Sequence, residues 1–108
     1  PAEWLAKYFR PAGGGRYRVV DELREAVEFS LVNVTSRAQT ARFKDVDVVF
    51  CRNLLIYFDD VSRREAASTF YDALRPGGFV CLGHSESMSR ISSLFRVRKL
   101  PDAIVYQK

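Results

Sequence analysis

Two short apolar runs, VDVVFC at residues 46–51 and FVCL at residues 79–82, bracket a stretch of helical periodicity. Between them Ala66, Phe70, Ala73 and Leu74 recur at the spacing of one helix face. Ser62 precedes that face and Glu65 stands three residues after it, the pattern of a capping box, so a helix is predicted over residues 62–74. Arg75-Pro76-Gly77-Gly78 is expected to stop it. Strand, crossover helix and strand in this order make a parallel βαβ unit. The run at 46–51 is apolar apart from Asp47, which predicts a strand buried on both faces of a parallel sheet. The fold class is therefore α/β.

The remaining segments fit around that unit. Trp4, Leu5, Tyr8 and Phe9 follow a helical spacing over residues 3–9, ended by Pro11 and the triplet Gly13-Gly14-Gly15. Residues 16–20 alternate, with Tyr17 and Val19 on one face, as in a short strand. Asp21 is a candidate N-cap for a short helix to Val27. Residues 28–34 (EFSLVNV) read as extended, residues 36–44 as a loop or a turn of helix, and residues 52–58 as a tight loop or short helix. Residues 83–93 form a polar loop with one helical turn. Residues 95–100 and 103–107, joined by Pro101-Asp102, close the chain as a hairpin.

Composition narrows the function classes. A chain of 108 residues is one domain at most. Hydrophobic residues at 47% and charged residues at 28% exclude disorder as the main state. No apolar run approaches the ~20 residues of a membrane helix. The N-terminus lacks the basic start and apolar block of a signal peptide, so a cytoplasmic location is expected. The net charge of +4 comes from scattered arginines, the tightest basic group being Arg96, Arg98 and Lys99. A specific nucleic-acid module concentrates its charge in a patch, which argues against that class. Cys51 and Cys81 each end an apolar run and match no zinc or redox spacing. His84 is the single histidine, which excludes a multi-histidine metal site; no metal is expected.

Ligands of open α/β sheets bind beyond the carboxyl ends of the strands. Those ends here are Cys51-Arg52-Asn53 and Leu82-Gly83-His84-Ser85-Glu86. Polar groups follow both apolar runs at once, although on position alone Arg52 and Asn53 equally suit loop capping and a surface ion pair. GHSES lacks the second glycine of a nucleophile elbow, so a hydrolase is discounted. The glycine triplet does not lead from a strand into a helix, which makes it a turn rather than a phosphate cradle. Tyr57 and Phe58 fall between strand and helix, where exposed aromatics can line a pocket; core packing is the expectation for Phe58.

FKDVDVVFCRNLLIYFDD, the helix after it and LRPGGFVCLGHSES together closely resemble the chemotaxis receptor methyltransferases, the CheR family. WLAKYF, the glycine turn and YRVVDELREAVEFSLVNV are similar to that family's small β-subdomain and the strand that follows. The resemblance covers nearly the whole chain. It implies a partial Rossmann-like class I methyltransferase sheet over residues 28–108. It also implies a small antiparallel β-subdomain with flanking helices over residues 1–27. It further implies transfer of a methyl group from S-adenosylmethionine to glutamate side chains of a chemoreceptor cytoplasmic domain, leaving S-adenosylhomocysteine. Asn33, Val34, Arg52 and Asn53 match cofactor-contacting positions. Arg52 and Tyr57 match positions beside the transferred methyl, and the β-subdomain matches the part that docks a receptor-tail peptide in some members.

The family's glycine-rich cofactor loop, the acidic residue on the ribose and the N-terminal helical subdomain have no counterpart in this sequence. The resemblance thus implies the C-terminal part of a longer enzyme, with the first cofactor-binding strands absent and the isolated chain inactive. Residues 46–51 are then expected to form an unpaired apolar edge and to drive self-association. The competing reading is a non-catalytic interaction module that docks receptor or signalling peptides.

Overall fold

The computed structural model describes residues 1–108, which divide into two units, Pro1–Leu31 and Val32–Lys108. In the first, α1 (Ala2–Tyr8) runs directly into β1 (Phe9–Gly13), which pairs antiparallel with β2 (Arg16–Val19). Gly13, Gly14 and Gly15 turn the hairpin with φ of 86°, 58° and 73°, a run of left-handed conformations that side chains with a Cβ resist. The helix ends at Tyr8 and residues 9–13 are a strand rather than a helix stop. Periodicity is silent there because Pro11 sits in a two-stranded ribbon, where an edge position tolerates the missing N–H. The next helix, α2 (Asp21–Glu25), is capped by Val20, not by Asp21. Asp21 and Glu22 instead occupy its first turn, where negative charge is favourable.

In the second unit α3 (Arg37–Thr40) starts at Ser36, whose hydroxyl accepts the Gln39 N–H. Then β3 (Val46–Cys51), α4 (Asp60–Ala73) and β4 (Leu74–Leu82) form the expected parallel crossover. A hairpin of β5 (Arg96–Leu100) and β6 (Ala103–Gln107) completes a four-stranded sheet in the order β3-β4-β6-β5. No helix is long and apolar enough to cross a membrane.

Several expectations are corrected. The cap of α4 is Asp59, whose carboxylate accepts the Ser62 N–H at 2.7 Å, so Ser62 is a capped residue and the helix starts earlier. The helix stops at Ala73, before the Pro-Gly-Gly motif. Residues 75–78 lie inside β4 as an irregularity between the pairs Val46↔Leu74 and Val48↔Phe79. Arg75 Nε spans it with a 2.6 Å bond to Asp47 Oδ1 on β3. Residues 28–34 form no strand. An extended segment needs a partner for its backbone groups, and here Phe29 and Leu31 are 91% and 100% exposed.

The core lies on one face of the sheet. Ala66, Ala67 and Phe70 of α4 pack with Cys51, Leu55, Leu74, Val80, Met88, Phe95 and Tyr106. Tyr71 meets Phe95 edge to face, at 5.4 Å between centroids. Side chains alternate along β3, so Val49 and Cys51 face this core while Val48 and Phe50 do not. Phe50 is 75% exposed. The strand is therefore not buried on both faces; it is the sheet edge, with α4 on one side only. Cys51 and Cys81 are both free thiols.

Candidate functional site

The parallel pair β3 and β4 ends in two loops that are fastened to each other by one side chain. Glu86 Oε1 accepts the N–H of Asn53 at 2.7 Å and of Gly83 at 2.8 Å, and Glu86 Oε2 accepts the N–H of Leu55 at 2.9 Å. One carboxylate thus serves three backbone donors from both strand ends. Such charge-assisted bonds are about twice as strong as neutral ones. The loop after β3 needs this support, because Asn53 has φ of 60°, a left-handed conformation that asparagine tolerates better than most residues.

The fit leaves no room at Gly83. A Cβ there would collide with Asn53 Oδ1, stand 2.6 Å from Glu86 Oε1 and 2.9 Å from the Asn53 nitrogen. Leu55 opens a 3₁₀ turn, Leu55–Tyr57, and is held from a third direction: Arg63 Nε of α4 donates to its carbonyl at 2.8 Å. Tyr57 ends that turn 80% exposed, whereas Phe58 packs against the core as expected. The Cys51 thiol, one residue before Arg52, is pushed up to about 11, first by burial and then by the negative charge of Glu86.

Arg52 and Asn53 are both exposed, and neither side chain makes a hydrogen bond or ion pair. Arg52 lines an open groove of about 690 Å³ with His84, Lys99 and Asp102. Asn33 and Val34 lie elsewhere in the unit and do not line that groove. Asn33 Oδ1 accepts from the Thr35 N–H and hydroxyl, at 3.1 and 2.8 Å, and its backbone N–H donates to Gln39 Oε1 at 2.7 Å. The Val34 carbonyl accepts from the Thr69 hydroxyl of α4. The structure therefore brings Arg52, Asn53 and Tyr57 together on one pinned loop. It ties Asn33 and Val34 to the helices instead.

Comparison with known proteins decides the family. The family described as CheR methyltransferase, SAM binding domain, matches residues 1–104. The chain belongs to the CheR methyltransferase family. The cofactor of this domain is S-adenosylmethionine. The chain is 49% identical over 108 residues to chemotaxis protein methyltransferase 2 of Vibrio cholerae, covering 100% of this chain and 38% of that protein. It is 36% identical to chemotaxis protein methyltransferase Cher2 of Pseudomonas putida, over 97% of this chain and 38% of the relative. It is 35% identical to the chemotaxis protein methyltransferase of Escherichia coli K12, over 87% of this chain and 34% of the relative. The chain thus spans well under half the length of these CheR relatives.

The exposed groups suit a polar cofactor. The Arg52 guanidinium, the Asn53 amide and the Asn33 Nδ2 all lack protein partners, while the backbone that carries them is fixed. Glu86 and Gly83 were visible in the sequence only as members of a polar strand end. Glu86 works by accepting backbone N–H groups, and that role leaves no side-chain pattern to read.

Proposed function

We propose that this chain is the C-terminal part of a protein-glutamate O-methyltransferase acting on chemoreceptor cytoplasmic domains in the cytoplasm. The observation that carries the reading is the exposure of Arg52, Asn53 and Tyr57 on a pinned loop at the carboxyl end of a parallel strand pair. S-adenosylmethionine supplies an electrophilic methyl group on a sulfonium sulfur. The accepting glutamate is already ionised at neutral pH, with a reference pKa of ~4.3, so the chain need not supply a general base. Its task is to align the carboxylate and to keep water out.

Arg52 is assigned to orienting that carboxylate through charge-assisted hydrogen bonds. Asn53 is assigned to the cofactor side, together with Asn33 and Val34. The Tyr57 hydroxyl is assigned to cofactor or substrate. A docking module without catalysis would require none of these three exposed polar groups at the strand ends. We also propose residues 1–27 as the β-subdomain, residues 28–108 as part of the methyltransferase domain, and self-association of the isolated chain through the β3 edge and the open face that carries Phe50.

Titration of the complete protein with S-adenosylhomocysteine tests the cofactor assignment. One-to-one saturation is expected, weakened about tenfold in Asn53→Ala by loss of one polar contact. Unchanged affinity in that variant would overturn the role of Asn53, and no binding at all would overturn the reading itself.

A further inference from the structure

We propose that Glu86 is a positioning residue for the methyl-transfer site, bracing the two strand-end loops so that Asn53 is held at the cofactor and Arg52 at the accepting carboxylate; this rests on the function proposed above. Three observations on the molecule converge on it. The carboxylate takes three backbone N–H groups, from Asn53, Leu55 and Gly83, at 2.7 to 2.9 Å. These donors belong to loops 31 and 33 residues away along the chain for Leu55 and Asn53, so the brace is tertiary. The Asn53 backbone sits at positive φ, a conformation that persists where its surroundings impose it. Gly83 leaves the space that the Asn53 side chain and the carboxylate fill, because a Cβ there would meet both.

The chemistry demands an ionised carboxylate in particular. All three partners are donors, so an acceptor-only group with two oxygens satisfies them. Glutamine has nearly the same shape, but it presents an NH₂ to one side. Either the Leu55 N–H, or both the Asn53 and Gly83 N–H groups, then face a donor. Aspartate keeps the charge but is one methylene shorter, and so cannot reach both loops from the same backbone position. Neither substitution alters the side chain of Arg52, Asn53 or Tyr57, so any effect on those groups passes through the loop backbone that Glu86 holds. Glu86 also lines the groove beside Arg52, so amide exchange measured without ligand is what separates bracing from direct contact with the cofactor.

The test compares Glu86→Gln and Gly83→Ala with the unsubstituted complete protein. Glu86→Gln is expected to raise KM for S-adenosylmethionine about tenfold, to weaken S-adenosylhomocysteine by a similar factor and to leave KM for the receptor domain unchanged. Gly83→Ala, which strains the same brace from the other loop, is expected to follow it. A fall in kcat with both KM values, the S-adenosylhomocysteine affinity and the loop amide exchange all unchanged is what a smaller folded fraction gives, and it would overturn the positioning role. Wild-type KM and affinity in Glu86→Gln would overturn it as well. Amide exchange without ligand gives a second readout: the Asn53, Leu55 and Gly83 amides should exchange faster in Glu86→Gln, and wild-type rates there would contradict the brace. If the unsubstituted protein itself bound no S-adenosylhomocysteine, the proposed function would fail first, and that outcome is distinct from normal binding left untouched by Glu86→Gln.

Discussion

The hydroxyl of Thr69 on α4 donates a 2.8 Å hydrogen bond to the carbonyl of Val34, 35 positions earlier in the chain. That bond fastens a segment with no regular structure of its own to the crossover helix. Thr69→Val removes the donor while keeping the shape, and should cost about 1 kcal/mol, read as a lowered denaturation midpoint at unchanged slope. Amides of residues 33–36 should exchange faster. An unshifted midpoint would show that the helix does not secure this segment.

The N-cap of α4 predicts a pH dependence. The Ser62 backbone N–H bonded to Asp59 holds its carboxyl below the usual carboxylate range. Because the folded value lies below the unfolded one, the stabilisation is complete above the unfolded value and is lost as pH falls through the folded one. Asp59→Asn keeps a good cap without the charge. Its thermal midpoint near neutrality should stay close to that of the parent chain, and its acid-side fall should be shallower. A variant as acid-sensitive as the parent would contradict this account of the cap.

Phe50 projects from the uncovered face of the edge strand β3, and Val48 lies beside it on the same face. The opposite edge, β5, carries Arg96, Arg98 and Lys99, the kind of charge that discourages strand pairing. Sedimentation of the isolated chain should therefore show species larger than a monomer. Phe50→Lys should return them to the monomer. A monodisperse monomer before substitution would refute association through β3.

Tyr57 is exposed at the end of a turn whose first residue, Leu55, is buried, so its ring adds little to the core. Tyr57→Phe should leave stability within about 0.5 kcal/mol of the parent, as exposed surface changes do. Methyl transfer by the complete protein should fall if the hydroxyl contacts cofactor or substrate. Unchanged turnover would remove the hydroxyl from the mechanism.

The crossover β3–α4–β4 and the closing hairpin were legible because hydrophobic period and turn residues agree there with the final packing. Residues 28–34 misled because Phe29 and Leu31 carry an extended, apolar pattern for which this chain holds no partner strand. The cap of α4 was misplaced because Ser62 and Asp59 both suit an N-terminus, and only the geometry chooses between them. Phe9 reads as the end of the helix and Pro11 and Gly13 as its stop, because a two-stranded ribbon with a proline offers little alternation to mark β1. At the site, Arg52, Asn53 and Tyr57 stood out by position after a strand and by resemblance. Glu86, Arg63 and Thr69 act on backbone groups, and backbone partners have no signature in sequence.

The most direct test of the central claim is transfer of labelled methyl from S-adenosylmethionine to a chemoreceptor cytoplasmic domain, by the complete protein and by its Arg52→Ala variant. The account predicts a base-labile ester on receptor glutamates with the parent protein, and a rate about a hundredfold lower when Arg52 no longer aligns the carboxylate. Transfer at the parent rate in Arg52→Ala, or no ester formed by the parent protein, would contradict it.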